Sequence, residues 1–126
     1  MLKILLIAAG GGAGSVLRYL MAGWVQRLVG ETFPAGTLVV NMTGCLLIGV
    51  LSALFSATLI PEAYRMAVLV GVLGGFTTFS TFGLETFTLL NSGQALRALA
   101  NVLLSVFVGL AAVWFGHRLG RRVCGV

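Results

Sequence analysis

Charge is scarce in this chain. Only 9% of its 126 residues are Asp, Glu, Lys or Arg, against roughly 25% in an ordinary soluble domain. The acids are three glutamates, Glu31, Glu62 and Glu85, with no aspartate, and His117 is the single histidine. One His and three Glu assemble neither a Ser–His–acid set nor a metal-ligand cluster, so no enzyme is expected. Cys45 and Cys124 are the only cysteines. They form neither a disulfide framework nor a zinc spacing. Proline occurs twice, at Pro34 and Pro61, both outside the long apolar runs.

What fills the chain instead is hydrophobic residues, at 59%. A membrane-spanning helix needs about 20 mostly apolar residues. Four runs qualify: Ile4–Gly23, Gly36–Leu59, Met66–Leu90 and Leu96–Phe115. The loops between them are short, which predicts a single all-α unit of four transmembrane helices embedded in the lipid bilayer. The first run continues through glycines to Arg18-Tyr19 with no small-residue cleavage pattern, so it is read as a retained span. Trp24, Tyr64 and Trp114 fall near span ends, where amphipathic rings anchor to the interface.

The net charge of +5 does not indicate nucleic acid, because the basic residues gather at span ends, where headgroup contact explains them. Lys3, Arg65, Arg118, Arg121 and Arg122 share the side of the termini, and Arg18, Arg27 and Arg97 lie opposite. Five against three specifies orientation weakly, which is compatible with insertion in both directions.

The third run is interrupted by Gly74-Gly75-Phe76-Thr77-Thr78-Phe79-Ser80-Thr81-Phe82. In hydrocarbon, backbone released from a helix must be satisfied by protein or by water, so an interruption there marks a site. Broken helices near mid-membrane hold ions in transporters. Thr77, Thr81 and Glu85 recur every four residues, and Glu85 is the one acid deep in an apolar run. An intramembrane carboxylate is a functional-site candidate; the structural alternative is a carboxylate bonded to Thr81 or to a neighbouring helix. Thr37 and Asn41 are four apart on the second run, as are Asn101 and Ser105 on the fourth. Each pair alone serves equally as helix glue. Together the stripes predict a narrow track of hydrogen-bond donors.

Gly10-Gly11-Gly12-Ala13-Gly14-Ser15 in the first run suits close helix packing. A phosphate-binding loop is disfavoured, since no strand precedes it and no Lys-Ser/Thr follows. Arg18 either snorkels to the interface or draws anions into a vestibule. Hydroxyl and amide donors can replace the water shell of a small anion, with phenyl ring edges adding weakly. Carbonyls near Gly74–Thr78 would suit a hard cation such as Na⁺ instead. Composition alone leaves the ion open.

The stretches GGGAGSVLRY (Gly10–Tyr19), FPAGTLVVNMTGCLLIG (Phe33–Gly49) and GGFTTFSTF (Gly74–Phe82), in this order and in three of four spans, resemble the Fluc/CrcB fluoride channel family over essentially the whole chain. That resemblance implies an antiparallel homodimer, inserted with dual topology, in a bacterial inner membrane. It implies passive export of cytoplasmic fluoride that protects the cell from fluoride toxicity. It further implies a structural Na⁺ at the dimer centre, held by the carbonyls of Gly74 and Thr77 from both subunits. Phe79 and Phe82 would line the fluoride path by their ring edges and Asn41 would donate an amide N–H. Ser80, Thr81 and Glu85 would extend the polar track, with Thr37 near its mouth. Arg18 as a vestibule residue and Ser105 along the path are candidates from their own placement in the spans, since the family pattern is looser around Asn101 and Ser105. Rival readings are a small multidrug exporter, disfavoured because the first run lacks a glutamate, a proton-coupled carrier using Glu85, and a non-transporting assembly subunit.

Overall fold

The computed structural model describes residues 1–125, and it is helical apart from short connections. Among the described residues, four helical segments are long and apolar enough to cross a membrane: Leu2–Val29, Ala35–Ala57, Glu62–Asn91 and Ala95–Val123. The first two are α1 and α2. The third consists of α3 (62–76) and α4 (Phe79–Asn91), and the fourth is α5 (Ala95–Val123). Short stretches of α3 and α5, Ala67–Val72 and Leu104–Val108, take the wider π-helical turn.

Three of the four segments outrun the apolar runs that predict them, whereas α2 ends at Ala57, short of the expected Leu59. Helix α1 continues through Trp24 to Val29 and stops where Gly30 takes a φ of 93°. That is a backbone state glycine reaches without Cβ strain. At 1.5 Å per residue its 28 residues span about 42 Å, longer than the ~30 Å hydrocarbon core. Its ends therefore reach the headgroups. Similarly, α5 runs to Val123, so Arg118, Arg121 and Arg122 are helical rather than a loose tail. Cations in a last helical turn complement its partial negative charge. The Arg118 guanidinium also stacks over Trp114, 4.6 Å from the ring centroid.

Helix α1 packs along α3, and α2 packs along the C-terminal half of α5. Glycines make both seams. A Cβ on Gly14 would overlap the Val72 carbonyl oxygen, and one on Gly75 the Gly11 carbonyl. Between α2 and α5, Gly49 meets the Val113 carbonyl and Gly116 meets that of Leu46. Lipid supplies no hydrophobic drive between helices, so this backbone approach provides the van der Waals contact that holds them. At the membrane surface Lys3 pairs with Glu62, both partly or fully exposed, a link of little energetic weight.

Gly14→Leu should therefore lower stability by about 1–3 kcal/mol or more, because the obstructing atom is backbone and cannot swing away. Gly12, where an added Cβ meets nothing within 4 Å, serves as the control. Thermal unfolding in detergent checks both: Gly12→Leu should melt like the parent and Gly14→Leu well below it.

Candidate functional site

Glycine is a poor helix former, and Gly74-Gly75 precede the only non-helical backbone within the third segment. Thr77 (φ −83°, ψ 158°) and Thr78 (φ −150°, ψ 115°) are extended. Extended backbone in an apolar setting needs partners, and Asn41 of α2 supplies them. Its Nδ2 donates to the Thr78 carbonyl at 3.0 Å, and its Oδ1 accepts the Thr78 N–H at 2.8 Å. The deep asparagine therefore bonds backbone rather than another helix's side chain. In an unbroken helix the Thr78 N–H would bond the Gly74 carbonyl. Its diversion to Asn41 takes that donor from Gly74, which is exposed.

Thr78 then caps α4: its Oγ1 accepts the Thr81 N–H at 3.3 Å and lies 3.0 Å from Thr81 Oγ1. A threonine hydroxyl is a good N-cap. The sequence expectation of one face carrying Thr77, Thr81 and Glu85 is corrected here. Thr77 lies before α4, and its hydroxyl turns back to the Leu73 carbonyl at 2.9 Å.

Glu85 bonds a neighbouring helix, one of the two partners the structural alternative names, and not Thr81. Its Oε1 accepts from Thr37 Oγ1 of α2 at 2.6 Å, while the Thr81 hydroxyl accepts from Thr78. Among the described residues, Glu85 Oε2 and Ser105 Oγ are buried with no hydrogen-bond partner. Buried polar atoms are rarely left so. The aromatic pair Phe79 and Phe82 has ring centroids 5.4 Å apart and planes inclined at 46°. Phe79 is 83% exposed.

These groups line adjoining cavities. One of about 350 Å³ is bordered by Asn41, Gly74, Thr77, Phe79, Phe82 and Ser105, with Thr78 at its wall. A second of about 390 Å³ is bordered by Arg18, Thr37, Thr81 and Glu85, again with Thr78. A third of about 410 Å³ adds Glu31 and the loop at Phe33 and Pro34, and shares Gln26 and Glu85 with the second. Ser80 is exposed, with Oγ 3.4 Å from that of Thr78. Asn101 separates from Ser105 in role. It is 2% exposed and donates to Thr86 Oγ1 at 3.0 Å, which ties α5 to α4.

Two residues of the site escape the sequence reading. Thr78 there is only one hydroxyl among four, although its place directly after Gly-Gly-Phe-Thr is a cue to backbone release. Gln26 holds the loop after α1 by donating to the Gly30 and Phe33 carbonyls at 2.5 and 2.8 Å and accepting the Gly36 N–H at 3.0 Å. A glutamine just ahead of a Pro-Gly loop gives little signal by itself.

Chemically the first two cavities offer hydroxyl and amide donors, a guanidinium and aromatic edges. Such a set solvates a small anion. Among the described residues no group of three or more His, Cys, Asp or Glu side chains could hold a metal ion.

Comparison with known proteins extends over nearly the whole chain. The family described as "CrcB-like protein, Camphor Resistance (CrcB)" matches residues 5–117. A Solibacter usitatus protein named "Fluoride-specific ion channel FluC" is 51% identical over 122 residues, covering 96% of this chain and 100% of that protein. A Geobacter metallireducens protein of the same name is 48% identical over 124 residues, covering 98% and 100%. One from Rhodospirillum rubrum is 47% identical over 116 residues, 90% of each. With four helices able to cross a bilayer, this is a multi-pass membrane protein, and it belongs to the CrcB family.

Proposed function

We propose that this chain is a fluoride-selective channel, not an enzyme, through which cytoplasmic fluoride leaves the cell passively. The observation that carries the reading is the pair of donor-lined cavities meeting at Thr78. It is supported by relatives whose names specify fluoride. Fluoride is small and tightly hydrated, so replacing its water requires close donors in a narrow passage. Asn41, Thr81, Ser80 and Ser105 would supply them, with Thr37 holding Glu85 near the mouth, the edges of Phe79 and Phe82 completing the wall and Arg18 attracting the anion. Chloride is larger and would leave those donors poorly matched. Hydrogen fluoride enters cells as the neutral acid and ionises inside, so an exit route for the anion protects against its toxicity.

The functional unit in this reading is an antiparallel homodimer with the interruption at Thr77–Thr78 near mid-membrane. A Gly74 carbonyl that has lost its helical donor, in a residue that lies exposed, needs a partner in hydrocarbon, and a second copy would shield it. Carbonyl oxygens suit a hard cation, which takes about six or more oxygen ligands. Gly74 and Thr77 from both copies would contribute to holding a structural Na⁺, whose charge would fix the two chains at their centre.

Expression of the chain in bacteria lacking their own fluoride exporter should restore growth in fluoride-containing medium. No rescue would count against export. Phe79→Ile and Phe82→Ile should each reduce fluoride efflux by about tenfold while leaving dimers intact, since an aliphatic group offers no positive ring edge. Unchanged flux in both variants would remove the rings from the path. The proton-coupled alternative draws on the unpartnered Glu85 Oε2. It differs in requiring a proton gradient, whereas channel efflux continues when an uncoupler collapses it.

A further inference from the structure

We infer that Thr78 is the junction between the two open cavities, its hydroxyl handing the anion from one donor set to the other; this rests on the channel reading above, in which a second copy covers the side of Gly74 and Thr77. Thr78 alone lines both cavities, the one bordered by Asn41, Phe79 and Ser105 and the one bordered by Thr37, Thr81 and Glu85. It is 9% exposed. Its backbone is fixed, because Asn41 holds both the N–H and the carbonyl. Its hydroxyl is not.

A hydroxyl has one hydrogen and two lone pairs. One lone pair of Thr78 Oγ1 accepts the Thr81 N–H at 3.3 Å. The hydrogen has two neighbouring oxygens within reach, Thr81 Oγ1 at 3.0 Å and Ser80 Oγ at 3.4 Å. Rotation about the C–O bond therefore redirects the donor without disturbing either the cap or the Asn41 clamp. An anion arriving from the Thr81 side can take that hydrogen, and Thr81 and Ser80 can turn theirs in the same sense. When the anion leaves toward Asn41 and Ser105, the hydrogen returns to Thr81. Thr78 thus lets a donor follow the ion from one cavity to the other.

Capping and ion contact make opposite demands on substitution, which gives the test. The full chain is reconstituted in liposomes and fluoride efflux is followed for Thr78→Val, Thr78→Ser and Thr78→Asp, with thermal unfolding measured in detergent. Thr78→Val matches the shape but has no hydroxyl, and should lose at least about tenfold in flux; Thr78→Ser keeps donor and acceptor and should recover most of it, to within about threefold of the parent. Asp is a good N-cap, so Thr78→Asp should melt near the parent. Its carboxylate at contact distance from the ion should still suppress flux by more than about tenfold.

A purely structural Thr78 gives the reverse, with Thr78→Asp conducting at the parental rate. That result overturns the inference, as does Thr78→Val conducting like Thr78→Ser. Should Thr78→Val fail to fold, the comparison of Asp with Ser decides alone. Failure of the channel reading looks different: the parent itself then passes no fluoride.

Discussion

Asn41→Asp should abolish fluoride flux while leaving the chain able to insert. The Asn41 amide uses both ends on Thr78, donating from Nδ2 at 3.0 Å and accepting at Oδ1 at 2.8 Å. Aspartate keeps the acceptor but replaces the donor with oxygen, which then faces the Thr78 carbonyl. It also places a negative group on the wall of the cavity that Phe79, Phe82 and Ser105 share. Like unit charges about 4 Å apart repel by ~4 kcal/mol at an effective dielectric constant near 20. That corresponds to roughly a thousandfold in occupancy. A fluoride electrode reading efflux from liposomes measures this directly, with size-exclusion chromatography as the check on assembly. Efflux at the parental rate would take Asn41 out of the path.

The second large effect is expected from Thr37→Val. The Thr37 hydroxyl donates to Glu85 Oε1 at 2.6 Å, and Glu85 Oε2 already has no partner among the described residues. Valine preserves shape but leaves the half-buried carboxyl with neither oxygen bonded, at a cost of up to about 1–3 kcal/mol. The side chain must then reorient within the cavity it shares with Arg18 and Thr81, which disorders the donor sequence. Flux should fall by about tenfold or more and Thr37→Ser should restore it, since the serine hydroxyl can make the same bond. Equal flux in Thr37→Val and the parent would show that the Glu85 geometry does not matter to conduction.

The four spans were legible because hydrocarbon imposes a length and a composition that few other sequences meet. Their ends were less so. Hydropathy falls off after Gly23 and Phe115, yet helical hydrogen bonding continues to Val29 and Val123. What ends α1 is the positive φ of Gly30, a property of the folded backbone.

The polar residues of the site were also legible, because Thr37, Asn41 and Glu85 stand out in apolar surroundings. Their partners were not. Helical periodicity assigns Thr77 to the face of Thr81 and Glu85, but the register is lost across the extended Thr77-Thr78 pair. Asn101 and Ser105 have the spacing of a single stripe. Asn101 nevertheless bonds Thr86, while Ser105 lies in a π-helical stretch and borders the first cavity. A π turn places successive residues at angles that a 3.6-residue period does not anticipate. Long-range pairing such as Thr37 with Glu85, 48 residues apart, depends on how the helices pack, which no local pattern encodes.

Donor-bearing cavities on this chain should pass fluoride and reject larger halides. Purified protein in liposomes loaded with fluoride and, separately, with chloride puts this to the most direct test once an ionophore relieves the charge imbalance. Rapid, complete loss of fluoride with chloride retained is the predicted result. Retention of fluoride, or release of both anions at similar rates, would contradict it.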